Sequence, residues 1–373
     1  MNILSSLKHK VRKEFKPSLS GVGYMYKKFS ISTTIKTIFT LFALLISQQS
    51  YALKVTVSIP PLAGMIAPLL SDNDQLEVIL NPGASPHGFQ LKPSHLRSLH
   101  DSDLVLWVGS PVDSWMQKPL TNLGVAEMSL KGLSGIEELP VRQGGLWEKK
   151  SRHDTISSET VHKDASDDSE EHGHNHEHGH QHESDTSSES KRMDGHLWMS
   201  FKNSLLLIEA VSKQLQILKP GDAENIRQRT QAWLNKLEKT NQQIKAQLLP
   251  VQTLPYMVLH DAFQYFEHQY SLNGIGSIQL NPSVSPSLKR VAELRSKVKS
   301  GKVSCVFKEP QFPEKRVLAV TKGLDVRVGS LDPMGVVSKE FQKETGRNFL
   351  SYDVFILQLS HQFNDCLSKA NSQ

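Results

Sequence analysis

The chain has 373 residues, 22% of them charged and 38% hydrophobic, with a formal net charge of +5. That length favours two domains over one, each able to bury a core, and the composition is that of a globular protein. Residues 1–52 hold eight Lys/Arg and one acid, so setting aside their +7 leaves about −2 for the remainder, and no electrostatic case for a nucleic-acid partner survives.

Residues 1–52 read as a secretion signal. Thr37-Ile-Phe-Thr-Leu-Phe-Ala-Leu-Leu-Ile-Ser47 is an apolar run behind Lys27, Lys28 and Lys36, and Ser50-Tyr51-Ala52 supplies the small-x-small pattern of a cleavage site. The leader before the run is long, and Met25-Tyr26-Lys27-Lys28 offers a start that gives a signal of ordinary length. The run is too short to span a bilayer comfortably, and no later stretch reaches the roughly 20 apolar residues a spanning helix needs, so no stable membrane insertion is expected. No cysteine follows the signal directly, which removes lipid attachment there and points to a free protein of a Gram-negative periplasm.

From Leu53 short apolar strands alternate with helices. Residues 53–59 predict a strand, a helix starts at Pro61, and residues 76–80 a strand, Pro93 a helix and residues 104–108 a strand follow. The scheme repeats with strands at 256–260, 275–280, 303–307 and 325–328, separated by helices, one of them from Pro286. Between the halves Lys219-Pro220-Gly221-Asp222 breaks the chain. Residues 223–249 then run without Gly or Pro, with Ile226, Trp233, Leu234, Leu237 and Ile244 at helical intervals and Asp222 as the expected cap. The fold class expected is therefore α/β: two parallel-sheet lobes, (βα)4-like, at 53–222 and 250–373, joined by one long rigid helix with a cleft between them. Residues 151–194, rich in Ser, Asp, Glu and His, lack the apolar side chains to offset ordering entropy and read as a disordered insertion in the first lobe.

Two cysteines, Cys305 and Cys366, both fall in the exported part, where a disulfide is the favoured reading and two separate buried thiols the alternative. Such a bond would stabilise by roughly 4 kcal/mol at most in the chain-entropy account. The insertion carries His172, His174, His176, His178, His180 and His182 at alternate positions, a composition that attracts Zn, Cu or Ni without fixing a geometry. Three further histidines stand in better-defined places: His87 in the loop after the second strand, His196 just past the insertion, and His260 at the end of a strand. Ligands of open parallel sheets bind outside the carboxyl ends of the strands, so these three imidazoles can converge on a metal in the cleft. His95, His100, His268 and His361 lie on expected helices and read as surface residues. A hydrolytic zinc enzyme also uses three histidines and an open position, with Glu309 or Asp261 as base, but no His-Glu-x-x-His spacing supports it. A periplasmic zinc buffer working through the insertion alone is the third reading.

Gly83-Ala-Ser-Pro-His-Gly-Phe89, Asp103-Leu-Val-Leu-Trp-Val-Gly109, Asp194-Gly-His-Leu-Trp-Met-Ser200, His260-Asp-Ala-Phe-Gln-Tyr-Phe266 and Phe307-Lys-Glu-Pro-Gln-Phe312 together resemble the periplasmic metal-binding proteins of cluster A-I, also called cluster 9, in their zinc-binding ZnuA type. The resemblance extends over nearly all of the chain from Leu53 and implies capture of Zn2+ and its delivery to an inner-membrane ABC zinc permease, by a monomer and without catalysis. It implies His87, His196 and His260 as ligands. Where manganese-binding relatives typically carry a glutamate this chain has His260, which favours zinc. The family's fourth position corresponds to Asp332. Some zinc-binding members instead carry a Glu just before the first ligand, where this chain has Pro86, so the fourth ligand is Asp332 or water. An acidic His-rich insertion ahead of the second ligand and a C-terminal disulfide are also features of those members.

Overall fold

The computed structural model describes residues 51–144, 146–147, 192–279 and 285–368; most of the expected secretion signal, and the tract that carries His172 to His182, lie outside them. Ser50–Gln373 form one unit by their contacts. Its first half holds β1 (Lys54–Val57), β2 (Gln75–Val78), β3 (Leu104–Trp107) and β4 (Glu127–Ser129), all parallel, in the order β2-β1-β3-β4. The helices α1 (Pro60–Ile66), α2 (Pro93–His100) and α3 (Gln117–Leu123) connect them. After α4 (Phe201–Leu218) and α5 (Ala223–Leu248) the second half repeats the plan with β5 (Tyr256–His260), β6 (Gly274–Gln279), β7 (Cys305–Lys308) and β8 (Arg327–Ser330), parallel in the order β6-β5-β7-β8. Its helices are α6 (Gln264–Tyr270), α7 (Leu288–Lys299), α8 (Lys315–Thr321), α9 (Lys339–Thr345) and the C-terminal α10 (Tyr352–Leu367). The two expected parallel lobes are present. Strand β4 escaped the pattern because it is three residues long and never fully buried, too little for a period to show.

Strand periodicity sorts the core. Val55, Val57, Leu104, Leu106, Tyr256, Val258, Cys305 and Phe307 point to one continuous buried cluster that includes residues of both lobes and of α4, α5 and α10. The intervening Met257, Leu259 and Val306 join a second cluster under α7 and α8, while Val105 joins a third with Leu99 and Leu120 of α2 and α3. Each sheet is thus covered on both faces, as near-continuous apolar strands require.

Helix α5, 26 residues and so about 39 Å long at ~1.5 Å per residue, buries Ile226, Thr230, Trp233, Leu237, Ile244 and Leu248 at helical spacing. Near its start Trp233 Nε1 donates to Met65 O at 2.8 Å in the first lobe; further on, Asn241 Oδ1 accepts from Tyr270 Oη at 3.0 Å in the second. Asp222 stands at the N-cap position, but its carboxylate accepts from Asn225 Nδ2 and Arg229 Nη2 rather than from a backbone N–H, so the expected cap is a side-chain anchor instead. Cys305 and Cys366 are bonded with Cα atoms 6.1 Å apart, tying β7 to α10. The insertion is bounded more tightly than its composition suggested: Pro140 and Met193 pair in an antiparallel bridge, and Asp194 is buried.

At the base of the first lobe Lys219 Nζ lies 2.8 Å from Asp74 Oδ1, the two side chains 5% and 2% exposed. Burial would push the Asp74 carboxyl up, but hydrogen bonds from Lys219, Ser71 and the Leu53 N–H hold it below the usual carboxylate range. Asp74→Ala leaves Lys219 buried and unpaired, and we expect it to lower the unfolding free energy by about 3 kcal/mol at pH 7. A depressed carboxylate contributes its full stabilisation above its unfolded value of roughly 4 and loses it as pH falls through the folded one. Denaturant titrations at pH 7 and pH 3 should therefore show the gap between the two proteins narrowing in acid.

Candidate metal centre

The three histidines come together at the carboxyl ends of the sheets. His260 is the last residue of β5, in a strand buried along its whole length. His87 sits in the loop that follows β2, pinned by Trp115 Nε1 donating to Pro86 O at 3.0 Å and by the His87 N–H donating to Ser85 Oγ at 3.3 Å. His196 opens the short 3-10 turn Leu197–Met199 ahead of α4, with its ring 5.2 Å from that of the buried Trp198. Trp198 is itself held by Nε1 donating to Pro333 O at 2.8 Å. Only glycine fits at position 195, because a Cβ there would stand 2.8 Å from Pro111 Cδ and Val112 Cγ2. That close approach lets the turn press His196 into the cleft.

His196 Nε2 lies 3.4 Å from His87 Nε2 and 3.4 Å from His260 Nε2. Donors on a tetrahedral zinc at about 2.0–2.1 Å stand roughly 3.3–3.4 Å apart, so the spacing is that of a chelate. The proton positions follow from the partners. His196 Nδ1 is 2.6 Å from Asp194 Oδ1, and His260 Nδ1 is 2.7 Å from Glu309 Oε1. A carboxylate accepts, so both Nδ1 atoms carry hydrogen, and in the neutral imidazole this leaves the Nε2 lone pair to face the cleft. Each carboxylate oxygen also takes the backbone N–H of the same histidine, at 3.0 Å for His196 and 3.1 Å for His260. The device is the same in both lobes, although one acid precedes its histidine by two residues and the other follows by 49.

Electrostatics separate the three histidines. Burial, and then the neighbouring His196 and His260, push His87 down to about 2, so it stays neutral. For His196 burial works against the proton, yet Asp194 together with Asp261 and Glu309 holds its pKa above the ordinary imidazole value. The hollow at the convergence measures about 10 Å³ and is walled by Trp198, Phe312, Pro333 and Met334 besides the histidines. A larger cleft of about 540 Å³ beside α5, lined by Arg229, Trp233, Lys236 and Arg347, has no ligand set.

Among the described residues, His87, His196 and His260 form the group of ligand-type side chains able to hold a metal ion. Asp332 is not in it. Its Oδ1 accepts from Gln311 Nε2 at 2.6 Å and from the Met334 N–H at 3.0 Å, and its Oδ2 from the Val336 N–H at 2.5 Å, so both oxygens shape the loop that carries Pro333 and Met334. His100, His268 and His361 are exposed, as expected; His95 is half-buried, its ring stacked 5.6 Å from Phe89. Sequence reasoning missed Asp194, which composition assigned to the insertion, and read Glu309 as a candidate base when it serves His260. An acid two residues before a ligand histidine was the signal for the first; nothing local could have revealed the second. Outer partners of metal-bound imidazoles contribute about 10–100-fold in affinity. Asp194→Ala and Glu309→Ala should each weaken zinc binding within that range by calorimetric competition, while EXAFS still counts the same nitrogen ligands.

Residues 55–345 match the family model ZnuA, zinc-uptake complex component A, periplasmic. The High-affinity zinc uptake system protein ZnuA of Yersinia pestis is 33% identical over 322 residues, 84% of this chain and 91% of that protein. Its namesake in Haemophilus ducreyi is 31% identical over 336 residues, 90% and 99% of the two chains. Among solved structures, one of ZnuA superposes with a TM-score of 0.63 at 19% identity, over 85% of this chain and 99% of that one. The periplasmic zinc-binding protein TroA of Treponema pallidum gives 0.64 at 18%, over 86% and 100%. At those identities the structures speak for the fold, and the family match and the sequence relatives for descent: the chain belongs to the ZnuA family of periplasmic zinc-uptake components.

Proposed function

We propose that this chain is a periplasmic zinc-binding protein that captures Zn2+ between its lobes and delivers it, as a monomer, to an inner-membrane ABC-type importer. One observation carries the reading: three imidazoles from three separate segments converge, with His196 Nε2 3.4 Å from the Nε2 atoms of both His87 and His260. His87, His196 and His260 are the ligands on this reading. A tetrahedral zinc held by three imidazoles keeps a fourth position for another ligand. Water takes that position, the Asp332 oxygens being engaged by the Gln311 side chain and by the Met334 and Val336 N–H groups. Three nitrogens and one oxygen suit zinc, whereas Mn prefers an oxygen-rich, higher-coordinate shell. The histidines from His172 to His182 act as an auxiliary, weaker binding tract, since histidines at alternate positions attract metal without fixing a geometry. Family membership supports the transport role and the periplasmic setting, and among the described residues no helix is long and apolar enough to cross a membrane.

The test is competitive zinc titration of the mature protein with residues 153–182 deleted. One tight site should remain, and manganese should fail to displace zinc from it. His196→Ala or His260→Ala should weaken it by more than about 100-fold, beyond what an outer partner contributes, and Asp332→Ala by much less. Loss of tight binding on deletion of the tract alone, or equal losses in Asp332→Ala and His260→Ala, would overturn the assignment.

A further inference from the structure

The stems of the insertion bind the lobes together. Leaving the first lobe, residues 139–144 and 146–147 lie across the second: Pro140 O accepts from Gln264 Nε2 at 3.2 Å, Leu146 O accepts from the Ser277 N–H at 3.3 Å, and a Cβ on Gly276 would stand only 2.6 Å from Leu146. Arg142 is the centre of this contact. Its guanidinium forks onto Asp261, with Nε 3.0 Å from Oδ2 and Nη2 on Oδ1, while Nη1 reaches Glu267 Oε2 at 2.5 Å. The face of the guanidinium lies 3.6 Å from the centre of the Trp147 ring. Arg142 is 19% exposed, and its two acids 5% and 3%. Tyr256 Oη donates to the other Glu267 oxygen at 2.9 Å.

Asp261 directly follows the ligand His260, so the fork clasps the end of the strand that aims it. The returning stem is secured from the same lobe. Tyr265 Oη, on α6, donates to Asp194 O at 2.6 Å and accepts from the Leu139 N–H at 3.0 Å, and the Asp194 N–H donates to Leu139 O at 2.8 Å. Asp194 is the acid that orients His196. One strap therefore holds both the residue after one ligand and the backbone of the residue that aims another.

The need for such a strap follows from the centre itself. His196 and His260 stand on opposite lobes, and their Nε2 atoms can chelate only while held near 3.4 Å, a spacing that any separation of the lobes destroys. A shielded, bidentate Arg–carboxylate contact resists that separation with fixed geometry, as a lysine ammonium cannot. Ligands already held at chelating distance bind with less reorganisation, and the ion escapes more slowly.

We propose that Arg142 and Tyr265 are positioning residues for zinc capture: through the stem that carries Leu139 and Arg142 they fix the His260 lobe against the His196 turn, and so set the affinity and lifetime of the bound ion. The inference rests on His87, His196 and His260 holding the zinc. Zinc competition titrations and stopped-flow release to a chelator are run on the full mature chain as wild type, Arg142→Ala, Arg142→Lys and Tyr265→Phe, well below the unfolding midpoint of each metal-free protein. Arg142→Ala should raise Kd about 10-fold or more and Tyr265→Phe, which removes only a hydroxyl, about fivefold, both chiefly through faster release. Arg142→Lys should fall between wild type and Arg142→Ala, since it keeps the charge and loses the fork. Unchanged affinity and release in folded Arg142→Lys and Tyr265→Phe overturn the proposal, even if their unfolding midpoints fall, because a merely structural contact gives that result. A tight site that survives His260→Ala in the wild-type background overturns the ligand assignment instead, and the two failures are thereby told apart.

Discussion

Two hydrogen bonds organise the centre: Asp194 to His196 Nδ1, and Glu309 to His260 Nδ1. Each fixes a tautomer and a ring plane at once, because a carboxylate can only accept and so assigns the proton to Nδ1. With the backbone N–H of the same residue bound to the same oxygen, imidazole and main chain are locked as one body. The charges matter as much as the geometry. A divalent ion in a nearly closed cleft is expensive unless buried anions stand close by, and Asp194 and Glu309 are 5% and 2% exposed.

The rest of the fold keeps these two bodies in register. The main apolar cluster runs through both lobes instead of stopping at the linker, so α5 is a wall of a shared core rather than a free rod. Trp233 and Asn241, about two turns apart along it, anchor it to different lobes. The disulfide holds β7, whose end leads into Glu309, to the C-terminal helix that packs on that core. A two-lobed protein built this way moves by small adjustments at its boundary, where Arg142 and the insertion stems lie, more readily than by swinging a lobe about a flexible hinge.

Selectivity then becomes a matter of room and ligand type. A hollow of about 10 Å³ walled by Trp198, Phe312, Pro333 and Met334 has no space for the several waters that Mg or Mn retain. Copper would compete on intrinsic affinity, by the Irving–Williams order, and is countered only by geometry and availability. Asp332 contributes to this enclosure indirectly, by folding the loop of Pro333 and Met334 over the site.

The alternation of apolar strands with helices determined the α/β class, the two lobes and the long helix, because burial of a parallel sheet on both faces imposes a local pattern that sequence alone displays. His87 and His260 were legible for a related reason, lying after or at a strand end where such folds bind ligands, and His196 by its place just past the His-rich insertion. The tertiary structure alone decided what surrounds them. Glu309 reaches His260 across 49 residues and Arg142 reaches Asp261 across 119, separations at which no periodicity or motif spacing carries information. It also decided that the Asp332 oxygens accept from the Met334 and Val336 N–H groups, partners that the sequence alone cannot assign to a carboxylate.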